Sequence, residues 1–383
     1  MHTKQLQTAT YMKQNKLLPA MACGLIAIAP AMAQQKSYKE IMNETSRDFF
    51  TTEEARRAGD MLLEYQRVTG GWPKNMDMTR HHTDSELAQV RKDKARRDDS
   101  TTDNGATNTQ MRYLAHLYSA TDDTKYRDSF RKAVEYLLSG QYDNGGWPQF
   151  WPEKSGYRVH ITYNDNAMAN TLNLFDEIMA GRYPFSGDIT DSALREKLAV
   201  SYRKGIDCIL ATQIVIDGEP TVWCQQHDRT TLRPAKARAY ELPSFCSSES
   251  AVLVDILMRQ PNPDERIKRA VHGAMKWFDE HKLTGVRLVR TGKKGKPGHD
   301  TRLVSDPNAH PIWARFYDLE EGRPYVCDRD GVPKRRLEEI GHERRNGYSW
   351  YNNRPAALYA RYAKWAARHD PERKVAVSLD KKL

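Results

Sequence analysis

Apolar residues recur at helical spacing through most of the chain and predict long helices joined by loops. Between residues 122 and 139, Tyr126, Phe130 and Leu137 fall on one face of a helix. The same pattern predicts helices over 53–68, 106–119, 122–139, 166–180, 191–212, 248–259, 263–281 and 355–368.

After about residue 215 the pattern changes to short runs of alternating or β-branched residues. These runs predict strands within 214–224, 284–291, 300–304 and 323–327. A basic loop rich in Lys, Gly and Pro lies at 293–298, between two of the strands. Residues 81–100 are highly charged and predict a loop or a solvated face.

One weak internal repeat organises the first half of the chain. The sequence Gly-Gly-Trp-Pro occurs at 70–73 and again at 145–148. An Asp-Asn pair follows each copy, at Asp103-Asn104 and at Asp165-Asn166. Repeated helix pairs predict a mainly α fold, an α/α toroid (an incomplete barrel of helix hairpins) whose short strands and long loops form a cleft.

The amino terminus predicts export. Residues 1–33 have a basic start, an uncharged apolar run and the ending Ala31-Met32-Ala33, which together indicate a secretory signal peptide. Pro and Gly interrupt the apolar run, which is shorter than the ~20 residues that a membrane-spanning helix needs. We expect residues 34–383 to form a single catalytic domain, periplasmic or extracellular and monomeric.

Composition narrows the class of partner. The chain has 383 residues, 39% hydrophobic and 29% charged, so it can bury a core. Its net charge of +10 falls to +7 without the three lysines of the signal peptide, and a basic exported protein suits an anionic partner. No motif typical of nucleic-acid binding is present, which favours an acidic polysaccharide over nucleic acid.

Each Asp-Asn pair precedes a predicted helix and has two interpretations. Asp and Asn are common helix N-caps. Their side-chain oxygens are also the ligands that Ca²⁺ prefers, taken from separate loops. Against a cation stands the partial positive charge of a helix N-terminus, which two carboxylates would have to outweigh.

The Trp residues of the Gly-Gly-Trp-Pro loops also have two interpretations. Gly and Pro indicate a turn whose Trp fills the core, whereas an exposed indole would bind a sugar ring, and turn chemistry favours the structural role. His160 and His227 are candidate site residues, with a structural role preferred. No motif typical of a transition-metal site is present.

Nine ordered segments resemble the pectate lyases of polysaccharide lyase family 10. They cover nearly the whole chain after the signal peptide: 70–75, 101–107, 142–149, 161–165, 223–228, 236–243, 313–317, 329–331 and 343–348. The resemblance implies an α/α toroid that cleaves polygalacturonate by Ca²⁺-dependent anti β-elimination and releases 4,5-unsaturated oligogalacturonides. It also implies that Asp103, Asn104 and Asp165 hold the Ca²⁺.

The resemblance assigns roles to three arginines. Arg329 matches the Brønsted base, and Arg238 and Arg315, together with Asn104, match substrate-binding positions. Cys246 and Cys327 depart from the family pattern, and a disulfide between them is an open alternative.

The implied chemistry explains these residue types. A lyase removes the C5 proton, so the negative charge that develops beside the uronate carboxylate needs cations nearby. Arg is protonated at ordinary pH, and an Arg base therefore predicts an alkaline activity optimum. Two alternatives stay open: a hydrolase of the toroid class, and a non-catalytic protein that binds acidic polysaccharide.

Overall fold

Long helices joined by loops make up most of the computed structural model, which describes residues 36–152, 155–373 and 377–379. The predicted signal peptide lies outside these ranges. The helices are α1 (Tyr38–Met42), α2 (Glu53–Tyr65), α3 (Asp84–Asp93), α4 (Asn108–Thr121), α5 (Thr124–Ser139), α6 (Ala167–Ala180), α7 (Ser192–Thr212), α8 (Ser247–Met258), α9 (Glu265–Glu280), α10 (His342–Gly347) and α11 (Tyr359–His369).

Every helix predicted from apolar periodicity is confirmed to within a few residues at each end. The charged segment 81–100 forms a solvated face, as predicted, but this face is helical and contains α3. Val90 is the buried residue of this helix, and a capping box formed by Thr83 and Glu86 begins it. Local capping therefore specifies α3, because the segment offers little apolar surface to the core.

The strands are short and lie mostly in the second half of the chain, as predicted. They are β1 (Ile161–Thr162), β2 (Val215–Ile216), β3 (Glu219–Pro220), β4 (Gln226–His227), β5 (Phe245–Cys246), β6 (Val286–Thr291), β7 (Asp300–Ser305), β8 (Trp313–Ala314), β9 (Phe316–Tyr317), β10 (Pro324–Cys327), β11 (Pro333–Lys334) and β12 (Tyr351–Asn352). The largest sheet has the order β11-β10-β9-β5, and the other strands form antiparallel pairs: β1 with β4, β2 with β3, β6 with β7 and β8 with β12.

The helices form two sets that differ in burial. In α4, α6 and α8 most residues are buried, and these helices contact one another in chain order. By contrast, α2, α5, α7 and α9 each bury one stripe and expose the other face, and they pair with the inner set as α2–α4, α4–α5, α6–α7 and α8–α9. This arrangement of helix hairpins around buried inner helices confirms the predicted mainly α toroid.

A tryptophan anchors the loop that follows each outer helix. The indole N–H groups of Trp72 and Trp147 donate to helix carbonyls 10 residues earlier, at 2.8 and 2.7 Å. Two further tryptophans, which sequence analysis did not place in the repeat, repeat the bond: Trp223 to Ile209 in α7 and Trp313 to Phe278 in α9. All four indoles are fully buried, which confirms the structural role preferred for the Gly-Gly-Trp-Pro loops.

Glutamine side chains connect successive outer helices. The amide nitrogen of Gln66 donates to the carbonyls of Gly70 and of Ser129 in α5, at 2.8 and 2.9 Å. Gln141 does the same with Gly145 and with Ser201 in α7. Because each glutamine satisfies a loop carbonyl and a carbonyl of the next helix together, it fixes the loop and the helix spacing at once. Gln213 bonds Thr221 and Ala270 of α9 in the same way.

The four cysteines within the described residues, Cys208, Cys224, Cys246 and Cys327, are buried free thiols. Cys246 Sγ contacts Glu249, and Cys327 Sγ lies 3.4 Å from the Asp328 carbonyl oxygen. The alternative of a Cys246–Cys327 disulfide is therefore not realised. Among the described helices, none is long and apolar enough to cross a membrane.

Gly145 is required by both its backbone conformation and its close packing, and replacing it should destabilise the fold. Its φ is +89°, and an added Cβ would lie 1.9 Å from the Lys204 carbonyl oxygen. We expect Gly145→Ala to lower the free energy of unfolding by roughly 3 kcal/mol, from left-handed strain plus overpacking. Urea denaturation followed by Trp fluorescence measures the change.

The matched control is Gly218→Ala, because Gly218 has a similar φ of +83° and open space where the Cβ would lie. Strain alone should cost it roughly 1 kcal/mol. Equal losses in the two variants would mean that the contact with α7 contributes nothing.

Candidate active site

The residue two positions after each anchoring tryptophan directs its side chain toward the buried loops between the helices. These residues are Lys74, Gln149, Gln225 and Arg315, here called the donor ring. Gln149, Gln225 and Arg315 are buried, and Lys74 is partly buried. Each donates a side-chain hydrogen bond to a residue of an Asp-Asn turn, so the fold places four donors around these turns.

The two turns have the same backbone conformation but align differently from the sequence prediction. Asn104 and Asp165 are the central left-handed residues, each with φ +52°. Asn104 therefore corresponds to Asp165, and Asp103 corresponds to Asn164. The sequence repeat had instead matched Asp103 with Asp165, so the structural alignment differs from it by one position. The two turns lie against each other.

N-capping does not explain the Asp-Asn pairs. The N-cap residues of α4 and α6 are Thr107 and Asn166, and neither makes a side-chain capping hydrogen bond. The side chains of Asp103, Asn104 and Asp165 are thus available for another role.

Asp103 is buried with one carboxylate oxygen satisfied and the other not. Its Oδ2 accepts from Gln149 Nε2 at 2.8 Å and from Lys74 Nζ. Its Oδ1 is buried and has no hydrogen-bond partner among the described residues. A buried carboxylate oxygen without a partner carries a desolvation cost that a bound cation would relieve.

Asp165 lies beside this carboxylate on the second turn. Burial raises the pKa of Asp165, and the negative charge of Asp103 raises it further, although Arg315 opposes the shift. Asn104 is exposed, and its amide nitrogen donates to Asn75 Oδ1 at 2.9 Å, which fixes the orientation of the amide group. The two turns thus bring together two carboxylates and an amide from separate loops, the donor set that suits Ca²⁺.

No group of three or more His, Cys, Asp or Glu side chains that could hold a metal occurs among the described residues. His227 is fully buried: its Nε2 accepts from the Cys224 amide and its Nδ1 lies 2.9 Å from the Leu232 carbonyl. His160 lies 3.7 Å from Asp228. The preferred structural interpretation fits His227 in particular, because its two ring nitrogens are both occupied by backbone groups.

Arg315 is a buried cation at the centre of the site. Its Nη2 donates to Asn164 Oδ1 at 2.9 Å and to Glu249, and it lies 3.9 Å from Asp165 Oδ1. The guanidinium also lies 4.7 Å from the centroid of the Tyr348 ring. Its Nε is buried and has no hydrogen-bond partner among the described residues.

Glu249 is a site residue that sequence analysis missed. Its side chain is 2% exposed, and burial alone would raise its pKa, but the neighbouring Arg315 guanidinium holds the pKa of Glu249 below its ordinary value. Trp223 accepts a backbone bond from Cys246 just as Trp147 accepts one from Thr162, so Glu249 corresponds to Asp165 in a third repeat. The sequence feature that could have revealed Glu249 is Trp223, the anchoring tryptophan of this third repeat. Trp223 is not preceded by the glycine pair that precedes Trp72 and Trp147, so the repeat is hard to recognise in the sequence.

The other two predicted arginines differ in their surroundings. Arg238 is 39% exposed, bonds Glu241 through Nε at 2.7 Å and lies 5.0 Å from the centroid of the Tyr240 ring. Its charge lowers the pKa of Asp165, although less than that of Arg315 does. Arg329 is 66% exposed and bonds Glu343 at 3.1 and 3.2 Å. The site therefore brings together Asp103, Asn104, Asp165, Arg315 and Arg238, whereas Arg329 lies on the surface.

Asp165 should destabilise the metal-free protein when it is ionised. Because folding raises the pKa of Asp165, its stabilising contribution is present when the group is protonated and is lost as the pH rises through the raised pKa. We expect Asp165→Asn to increase the free energy of unfolding at pH 7 in a chelator. The gain should vanish below the unfolded pKa of about 3.9.

Asp228→Asn is a control variant in which we expect the opposite change in the free energy of unfolding. Backbone N–H groups of Thr231 and Thr230 lower the pKa of Asp228, so its contribution is present above the unfolded pKa, and the substitution should destabilise at pH 7. Thermal unfolding from pH 3 to 8 measures both variants. A loss of stability in Asp165→Asn at pH 7 would contradict the proposed electrostatic cost.

Comparisons with known proteins identify the family of the chain. Residues 66–359 match the family model described as pectic acid lyase. A family 10 polysaccharide lyase from Cellvibrio cellulosa is 34% identical, with a TM-score of 0.73, 86% of this chain covered and 95% of that chain. An aspartate-to-alanine mutant of a family 10 polysaccharide lyase from Cellvibrio cellulosa, in complex with trigalacturonic acid, is also 34% identical, with a TM-score of 0.72 and coverages of 85% and 95%.

No curated protein matches the chain. The family match spans more than half of the chain, and the matched structures share its fold almost end to end. The chain belongs to the pectic acid lyase family and is a pectate lyase of polysaccharide lyase family 10.

Proposed function

We propose that the protein cleaves polygalacturonate by Ca²⁺-dependent anti β-elimination and releases oligogalacturonides with a 4,5-unsaturated end. The observation that carries the proposal is the buried oxygen of Asp103 that has no hydrogen-bond partner among the described residues, beside Asp165 and within the donor ring. The trigalacturonic acid bound by the related structure supports a polyuronate as substrate. A paired acid and base, which a hydrolase needs, is not required for elimination.

Asp103, Asn104 and Asp165 would hold the Ca²⁺. Bound there, it would neutralise the uronate carboxylate and so favour loss of the adjacent C5 proton. Repulsion from Asp103 adds to the effect of burial and raises the pKa of Asp165. A divalent cation bound by both carboxylates would offset this repulsion. The two carboxylates thereby outweigh the unfavourable positive ends of α4 and α6.

Arg315 would bind the substrate carboxylate without reorganising. Glu249 and Asn164 hold its Nη2, and the Tyr348 ring packs near the guanidinium plane. A cation fixed in advance stabilises charge that develops in the transition state at no cost of reorientation. The buried Glu249 is therefore a positioning residue for Arg315, which lines the active-site cavity.

Two arginines are candidates for the proton acceptor. Resemblance assigns it to Arg329, but Arg238 acts electrostatically on Asp165 and lies beside the aromatic residue Tyr240. Its position makes Arg238 the stronger candidate for the base, and Arg329 stays a prediction of the resemblance. Burial would lower the pKa of Arg238, but the bond to Glu241 raises it overall, so proton abstraction requires this ion pair to open when substrate binds.

We also propose that the enzyme acts outside the cytoplasm, as a monomer. The signal-peptide pattern of residues 1–33 supports export, and the positive charge that remains after cleavage suits an acidic polymer.

Calcium should be required for activity through Asp165. Mature protein with polygalacturonate and calcium should give a rise in ultraviolet absorbance from the new C4–C5 double bond, and a chelator should abolish it. Asp165→Ala should need far more calcium or lose turnover by at least roughly 100-fold, since charge stabilisation beside the reacting carbon is lost. Reducing ends without absorbance would indicate hydrolysis, and an unchanged calcium response in Asp165→Ala would remove Asp165 from the ligands.

Substitution by lysine should identify the arginine base. Arg238→Lys should lose roughly 100- to 10,000-fold in kcat while still binding polymer, because general-base catalysis contributes that much. Arg329→Lys should keep kcat within about tenfold, as expected for an exposed ion pair. The reverse ranking would assign the base to Arg329.

The wild-type kcat should rise with pH into the alkaline range, because only a deprotonated guanidinium accepts a proton. A kcat maximum in mild acid would contradict an arginine base at either position. Polymer binding by each variant, measured by affinity electrophoresis, separates loss of chemistry from loss of substrate.

A further inference from the structure

The β6–β7 hairpin has an unexplained concentration of positive charge. Its two six-residue strands pair from Val286 with Ser305 to Thr291 with Asp300, and the connecting residues 292–299 include Lys293, Lys294 and Lys296. Apart from this pair, the longest strand of the described fold has four residues.

The root of the hairpin forms one wall of the active-site cavity. This cavity has a volume of about 710 Å³. Its lining includes Asp165 and Arg315 together with Leu288 and Arg290 of β6. Leu288 and Arg290 are two residues apart in the strand, so their side chains point to the same face of the hairpin.

A second cavity continues along the same face of the hairpin. It has a volume of about 410 Å³ and shares Leu288, Arg290, Ser349 and Tyr351 with the active-site cavity. From these shared residues it extends to Lys294 in the connecting loop. We call the two adjoining cavities the hairpin groove.

The distal part of the hairpin groove is cationic. The side chains that line it include Arg290, Lys294 and Arg345 and no Asp or Glu. Arg345 is neutralised by Asp300 at 2.8 Å. Within the described residues, Arg290 and Lys294 have no ion pair with any carboxylate, so their charges face the groove uncompensated.

We propose that the distal part of the hairpin groove is a second binding site for the same polyuronate chain, in which Arg290 and Lys294 bind carboxylates several sugars away from the bond that is cleaved. This inference rests on the proposed function. A polymer with one carboxylate per sugar offers an anion at every step, so a cationic groove continuous with the reacting site gains affinity only when the chain is long. The enzyme should therefore prefer long chains to oligomers.

A pair of double variants tests the groove. Arg290→Gln with Lys294→Gln removes the two positive charges of its distal part that have no ion pair among the described residues. Lys293→Gln with Lys296→Gln removes two charges from the same loop, but neither residue lines either cavity. Both variants lose the same net charge, so the comparison isolates the position of the charge.

We expect the groove variant to lose roughly three- to tenfold in kcat/KM on polygalacturonate. The loss on trigalacturonate should be clearly smaller, because Lys294 lines only the distal cavity, whereas Arg290 also lines the active-site cavity. The control variant should stay within about twofold on both substrates. The loss on polymer should shrink in high salt, because the exposed charges are screened. Ultraviolet absorbance follows both substrates.

Three results would overturn the groove: equal losses in the two variants, no loss on polymer, or an equal loss on polymer and trimer. Failure of the proposed function is distinguishable, because the wild-type enzyme would then give no absorbance rise on either substrate. In that case affinity electrophoresis in polygalacturonate gels decides the matter. Reduced retardation of the groove variant relative to the control supports the site, and equal retardation refutes it.

Discussion

The anchoring tryptophan bond is the constraint on which the site depends. Each indole N–H reaches back to a carbonyl of an outer helix, and the backbone carbonyl of the same tryptophan accepts from Thr101, Thr162 or Cys246 just before the next turn. In the fourth repeat, Trp313 instead pairs with Asn352 across two strands. Each tryptophan thus connects a helix, a loop and a turn through its hydrogen bonds. These bonds also fix the position of the donor-ring residue two positions later.

Unfavourable electrostatic interactions are concentrated at the proposed active site. Asp103 and Asp165 repel each other, and one oxygen of Asp103 has no partner among the described residues. Next to them, Arg315 and Glu249 form a buried pair whose partners hold each other ionised. The rigid frame of tryptophans and glutamines is what allows this local strain to persist, because the turns cannot move apart to relieve it.

Sequence reasoning predicted the helices well because their apolar periodicity is long and regular. It predicted two of four repeats, since Trp223 and Trp313 lack the glycine pair that marks the first two. It missed α3, which depends on a capping box rather than on apolar surface. It could not place Glu249 or separate Arg315 from Arg329, because burial of Arg315 depends on Asn164, 151 residues away in the sequence.

The donor ring shows how the frame and the chemistry are encoded separately. Its four equivalent positions hold Lys, Gln, Gln and Arg, while the tryptophans that position them do not change. The anchoring tryptophans thus determine the backbone geometry, and the donor-ring residues determine the charge. Evolution, or a protein engineer, can therefore redistribute positive charge around the cleft one side chain at a time, and so alter which acidic sugar pattern is accepted, without rebuilding the architecture.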